Sequence, residues 1–156
     1  MLDDLLERLL SEDGDPALRH VALGMLLAGA HNRSRKAMND ELRALGIDVR
    51  GFGMLLALEL YGASSQRRLI DLTGIDKSTM VRVVDELEDG GLVRRERAPH
   101  DRRAHAISLT PEGARTLESA RRAGGEVGER LFGGLGAGER DRLVALLRQV
   151  AEGRTP

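Results

Sequence analysis

A chain of 156 residues is about one domain in length, and a formal net charge of −1 gives no global sign of a polyanionic partner. The absence of Cys excludes disulfides, thiolate metal sites, a Cys nucleophile and a cysteine-based redox switch. An aromatic content of 2% disfavours single-stranded nucleic-acid modules, which stack bases on exposed rings.

With only Phe52, Tyr61 and Phe132 as aromatics, the core must be built from Leu, Val, Ala and Met. That palette suits packed helices better than a sandwich of aromatic and β-branched strands. Asp3 and Asp4 stand where a signal peptide would carry basic residues. The longest uncharged apolar run, 21–30, is half of the roughly 20 residues a membrane span needs. The expectation is a soluble cytoplasmic protein with no membrane partner.

In chain order, Leu2, Leu5, Leu6, Leu9 and Leu10 recur at helical spacing and predict a short amphipathic helix. Asp15-Pro16 then reads as an N-cap followed by proline at the first helical position. The long helix that follows runs to about Leu45 and is apolar nearly all round over 21–30. Such a segment needs burial on several sides, which one small domain cannot easily supply, so it predicts a subunit interface. Gly46 ends it, and residues 52–61 form a third helix stopped by Gly62.

Ser64 or Ser65 caps a short helix through about Leu72; Thr73-Gly74-Ile75 turns, and Asp76 caps the next helix to about Asp89. Gly90-Gly91 breaks that helix. Residues 92–97 and 104–109 alternate as two strands around a turn at 98–101. Thr110-Pro111-Glu112 starts another helix, whose Leu117, Ala120, Gly124, Val127 and Leu131 form a heptad-like stripe rich in small residues. Gly124-Gly125 is either a kink or a place of close helix contact across a dimer. Residues 133–138 read as a turn, and Leu143, Leu146, Leu147 and Val150 carry a last amphipathic helix.

Helix, tight turn, helix, two strands and a helix start, over 64–109, is the order of a winged helix-turn-helix. In its second helix Met80, Val83, Val84 and Leu87 form one inward stripe, leaving Lys77, Ser78, Thr79, Val81, Arg82 and Asp85 outside. Hydroxyls and one arginine at the N-terminal end suit a helix lying in a major groove, although the same residues also make an ordinary solvated face. The strand pair decides between these readings. Five arginines against Glu96 and Asp101 within 94–103 concentrate positive charge at a hairpin tip of a near-neutral protein. Arg102 and Arg103 there are candidates for phosphate binding or for a narrow minor groove.

Gly91-Leu92-Val93-Arg94-Arg95, Asp101-Arg102-Arg103-Ala104 and Leu109-Thr110-Pro111-Glu112-Gly113 resemble the MarR family of bacterial transcription regulators. Asp76-Lys77-Ser78-Thr79 and Val84-Asp85-Glu86-Leu87-Glu88 resemble that family's recognition helix. The match runs from about Pro16 to Glu152. The resemblance implies a triangular homodimer gripping a pseudo-palindromic operator in double-stranded DNA. It also implies that Arg95 and Asp101 pair to hold the wing, and that Arg103 reaches the minor groove. Residues 1–10 extend beyond the family's usual N-terminus, the glycines at 124, 125 and 128 are unusual in a dimerisation helix, and no cysteine is present for oxidant sensing.

The expected fold is mainly α with a small two-stranded β wing. Residues 1–48 and 111–156 are assigned to a dimerisation lobe, and 49–110 to the DNA-binding lobe. The expected function is sequence-specific repression relieved by a small ligand, with a winged-helix protein–protein adaptor as the alternative. The ligand site is expected where the long helix, the third helix and the Pro111 helix meet. Residues 21–30 of the long helix and 54–60 of the third, Leu55 among them, supply apolar walls there, and His31 and Arg35 supply polar anchors; His31 also reads as a hydrogen-bonded interface residue. His20 and His31 lie about 16 Å apart along one helix and cannot share a metal. No cofactor, metal site or catalytic group is expected.

Overall fold

A computed structural model describes residues 2–11, 15–98 and 101–153, with the side chains of 4–11, 15–96 and 106–153. It has seven helices among these residues: α1 (Leu2–Leu10), α2 (Pro16–Leu42), α3 (Val49–Tyr61), α4 (Gln66–Thr73), α5 (Lys77–Asp89), α6 (Pro111–Phe132) and α7 (Ala137–Ala151). Three strands complete it: β1 (Ser64–Ser65), β2 (Val93–Ala98) and β3 (Asp101–Leu109).

Helix starts follow the short-range capping chemistry. Asp15 accepts from Ala17 N at 2.8 Å, Asp48 from Gly51 N at 2.8 Å, and Thr110 from Gly113 N at 3.0 Å. Asn39 of α2 also reaches over to accept from Val49 N at 2.9 Å, tying the long helix to the start of α3. A 3-10 turn, Arg43–Leu45, tightens the end of α2, and Gly46 at φ 71 reverses the chain. The turn expected over 133–138 is shorter than that range, because Gly136 already caps α7.

The sheet has three strands rather than two, in the order β1-β3-β2. Ser64 pairs with Ile107 and Ser65 with Ala106, so the residues expected to cap α4 also extend the hairpin. A two-residue strand is too short to show alternation, which is why the sequence carried no sign of it. The core lies between the sheet, α3, α5 and α6, where Met54, Leu55, Leu69, Met80, Val84, Ile107 and Leu117 are buried.

Helix α6 runs unbroken through Gly124-Gly125. Its small-residue stripe is buried at Leu117, Ala120 and Val127 within the chain itself. A Cβ on Gly124 would come within 3.2 Å of Met38 Cε on α2, so the close contact is between helices of one protomer. The heptad-like stripe is therefore largely occupied by the protomer's own packing, a correction to its expected use between subunits; spacing on one helix does not specify its partner. The 21–30 segment behaves otherwise. In the single chain only Ala22 of it is buried, while Val21 and Leu23 are 55% and 57% exposed. No residue of α7 is buried, although Val144, Leu146, Leu147 and Val150 are apolar.

Candidate nucleic-acid interface

Helices α4 and α5 form the expected helix-turn-helix. Thr73 Oγ1 donates to Leu69 O at 2.6 Å and accepts from Ile75 N at 3.4 Å, and Gly74 at φ 69 closes the turn. Asp76 then starts α5. Its Oδ1 accepts from Ser78 Oγ at 2.5 Å and from Thr79 N at 3.0 Å. These hydrogen bonds, the one from Ser78 first, hold the Asp76 carboxyl well below the usual aspartate range. Met80, Val83, Val84 and Leu87 are buried against the core, which fixes the rotation of the helix about its axis.

That rotation leaves Lys77, Ser78 and Arg82 exposed, while Thr79 is half-buried and serves the cap through its N–H. Ser78 commits its hydroxyl hydrogen to Asp76, so toward an outside partner it is left as an acceptor. Arg82 Nη1 donates to Glu86 Oε1 at 2.6 Å. Beside the helix start, Gln66, Arg67, Ile70 and Lys77 line a cleft of about 320 Å³. Arg67 and Gln66 were not among the candidates drawn from the sequence. Their signal was the Ser65 cap, which puts them in the first turn of α4, where N–H groups and two cations converge.

In the wing, β2 and β3 pair from Val93↔Leu109 to Ala98↔Asp101, with an irregularity between Arg97 and Ala98. Arg94 Nε donates to Ser108 Oγ at 3.2 Å and pairs with Glu96 at 2.9 Å. Arg95 turns back to α5, where its guanidinium pairs with both Asp85 and Glu88. Its backbone N–H also donates to Glu88 Oε1 at 3.0 Å. Burial works against the charge of Arg95, but the bonds to Asp85 and Glu88 outweigh it and hold the guanidinium's pKa above its ordinary value. The side chains of Asp101, Arg102 and Arg103 lie outside the described residues, and with them the pairing of Arg95 with Asp101.

The three residues expected around a ligand do not line one described cleft. Leu55 is fully buried in the core, His31 is exposed on α2, and Arg35 lines a polar cleft with Asn32, Lys36 and Asn39. Helix α3 does carry an open apolar cleft, of about 440 Å³, but on its other face. Val49, Gly53, Leu56 and Leu60 form one wall, Leu72 and Ile75 the opposite one, and Arg50 and Tyr61 supply polar atoms. Leu55 and Leu56 are about 100° apart on the helix, so the residue assignment depended on a rotation that only packing decides. Among the described residues no group of three or more His, Asp or Glu is placed to hold a metal ion, and no helix is long and apolar enough to cross a membrane.

Residues 45–104 match the family model described as the MarR family. The chain is 32% identical over 130 residues to the transcriptional repressor NicR of Pseudomonas putida, covering 83% of this chain and 82% of that protein. It also resembles BpsR of Bordetella bronchiseptica, whose DNA binding is regulated by 6-hydroxynicotinic acid, at 29% identity and TM-score 0.75 over 83% of this chain and 98% of that one. CouR of Rhodococcus jostii RHA1, solved bound to p-coumaroyl-CoA, is 32% identical with a TM-score of 0.74, covering 83% of this chain and 91% of that one. The repressor CouR solved on a 23-mer DNA duplex has a TM-score of 0.78 at 31% identity, covering 83% of this chain and 92% of that one. The order of elements agrees with these matches, and the chain belongs to the MarR family of winged helix-turn-helix DNA-binding transcription regulators.

Proposed function

We propose that two copies of this chain bind one pseudo-palindromic operator, each inserting the N-terminal half of α5 into a major groove. The observation that carries the reading is the division of α5 into a buried apolar stripe and an exposed face bearing Lys77, Ser78 and Arg82. Arg82 supplies base readout, Lys77 and Arg67 hold phosphates, and Arg102 and Arg103 at the wing reach the neighbouring minor groove. Residues 1–48 and 111–156 form the dimerisation lobe and 49–110 the DNA-binding lobe. The exposed apolar residues of α2 and α7 are the natural seam, since Val21 and Leu23 of α2 and every residue of α7 are left unburied within one chain.

The cleft on α3 suits a small effector with an apolar, flat body and an anionic end, the apolar walls taking the body and Arg50 the charge. DNA binding by BpsR is regulated by 6-hydroxynicotinic acid and CouR was solved bound to p-coumaroyl-CoA; an aromatic carboxylic acid or its thioester is the effector class proposed here. By loosening the dimer's grip on DNA it would relieve repression. Calorimetry tests this by titrating hydroxylated aromatic acids into the dimer with and without an operator duplex. A true effector lowers DNA affinity about 5–150-fold, and DNA weakens its binding by the same factor. Equal affinity in both titrations rules a compound out, and equal binding of operator and random duplex by the free dimer would favour the adaptor reading.

A further inference from the structure

Arg82 and Glu86 lie four residues apart on the exposed face of α5, joined from Nη1 to Oε1 at 2.6 Å. The side chains are 53% and 55% exposed, so the pair adds little to stability. Its effect is on position. A guanidinium can make paired hydrogen bonds from its end, Nη1 with Nη2, or from its side, Nε with Nη2. Glu86 takes Nη1, and no described side chain takes Nε or Nη2. The side edge is therefore left with two parallel donors, the pattern that matches O6 and N7 of guanine in the major groove.

We propose that Glu86 is a positioning residue for base reading: it holds Arg82 so that the Nε–Nη2 edge is presented to a guanine, and the pair rather than Arg82 alone sets specificity. The inference rests on the reading of α5 as the recognition helix. A long arginine side chain loses much rotamer freedom when it is fixed on DNA, and a partner that fixes it beforehand removes part of that loss. Glu86 also carries a cost. A carboxylate on a face turned to phosphates weakens binding to every duplex alike. Removing it should thus have two effects of opposite sign: tighter binding to DNA in general, and poorer discrimination at one base pair.

The test uses the full-length dimer and a duplex that the wild type selects from a random-sequence pool. Binding is measured at one salt concentration to that duplex and to versions with each G·C pair of a half-site changed to A·T. Arg82→Ala should lose about 5–150-fold of discrimination at one position. Glu86→Ala should lose discrimination of about tenfold at that same position while binding the substituted duplex as tightly as the wild type or more so. Glu86→Gln keeps an acceptor oxygen and should restore part of the ratio, and Glu86→Ala should leave the ratio unchanged in an Arg82→Ala background. The ratio between duplexes cancels the general electrostatic gain, and circular dichroism melts confirm that exposed substitutions leave the fold intact.

A Glu86→Ala dimer that keeps the wild-type ratio, or raises it, overturns the inference, because Glu86 would then be neutral or would be withholding Arg82 from DNA. A loss at a different base pair that persists without Arg82 also overturns it, since Glu86 would be touching a base itself. If Glu86→Ala keeps discrimination that Arg82→Ala loses, only the role of Glu86 fails. If Arg82→Ala changes no ratio, the assignment of Arg82 as base reader fails, and this inference with it.

Discussion

The carbonyl oxygen of Leu92 occupies the space that a Cβ on Gly113 would need. Leu109 Cδ1 is 2.9 Å from the same point, so backbone blocks one side and a packed side chain the other. The contact joins the first turn of α6 to the entry of the wing, where Thr110 N also donates to Leu92 O at 3.1 Å and Thr110 Oγ1 to Gly91 O at 2.7 Å. Gly113→Ala should destabilise the protein by about 1–3 kcal/mol, because the obstructing atom is backbone and cannot swing aside. Gly125→Ala is the control: nothing lies within 4 Å of its Cβ position, and a helix-favouring residue there should be neutral or stabilising in the monomer. Denaturant melts of the two variants decide the matter, and equal midpoints would contradict it.

Arg95 is the brace between wing and recognition helix, with Asp85 and Glu88 as its partners. Its side chain is 30% exposed, and removing it leaves Asp85 and Glu88 without that cation and a strand no longer tied to α5. Arg95→Ala should cost about 1 kcal/mol of stability and a larger share of DNA affinity. Amide exchange should quicken in β2 and β3 while the protected amides of α3 and α6 stay slow. Uniform acceleration across the chain would mean that Arg95 holds the whole fold rather than the wing.

Asp76 links the stability of the recognition helix to pH. Its folded pKa is lowered, by hydrogen bonds from Ser78 and Thr79, so its contribution is fully present above the ordinary aspartate range near pH 4. That contribution disappears as pH falls through the lowered folded value, because protonation removes the acceptor charge. Asp76→Ala should therefore narrow the stability gap to wild type as pH falls from neutrality to about 3, and should weaken operator binding at pH 7 by fraying the turn that holds Lys77 and Ser78. A gap that does not change with pH would argue against the carboxylate's role.

Phosphate and base contacts should separate by salt. Arg67→Ala and Lys77→Ala should weaken binding to every duplex and reduce the slope of log affinity against log salt by about 1 for each phosphate that is no longer neutralised. Operator preference should be unchanged in both. A change in preference without a change in slope would move these residues from phosphate to bases.

The dimer seam can be tested on the residues left bare. Val21→Glu on α2 and Leu147→Glu on α7 each put a charge into the proposed contact, and neither side chain is part of the buried core of one chain. Sedimentation should show the dimer weakened or lost, with helix content kept in whatever monomer remains. A dimer as tight as wild type in both variants would place the seam elsewhere.

The signals that were legible in the sequence are the local ones. Asp15, Asp76 and Thr110 announce their helices because a cap bonds an N–H two or three residues away. The inward stripe of α5 and the alternation of the wing strands are equally short in range, and family-type motifs lie on the same stretches. What the sequence could not settle involves partners far apart in the chain. Ser64 becomes a strand because Ile107 lies beside it, and Gly124 is close-packed because Met38 arrives from α2. Arg67 shares a cleft with Lys77 because α4 and α5 bring the two together, and Arg95 meets Asp85 and Glu88 only when the wing folds back. The face of α3 that remains open is decided the same way: Leu55 turns to the core and Leu56 to the cleft. Periodicity fixes which residues share a face, but the face that a helix buries is chosen by the long-range packing of its neighbours.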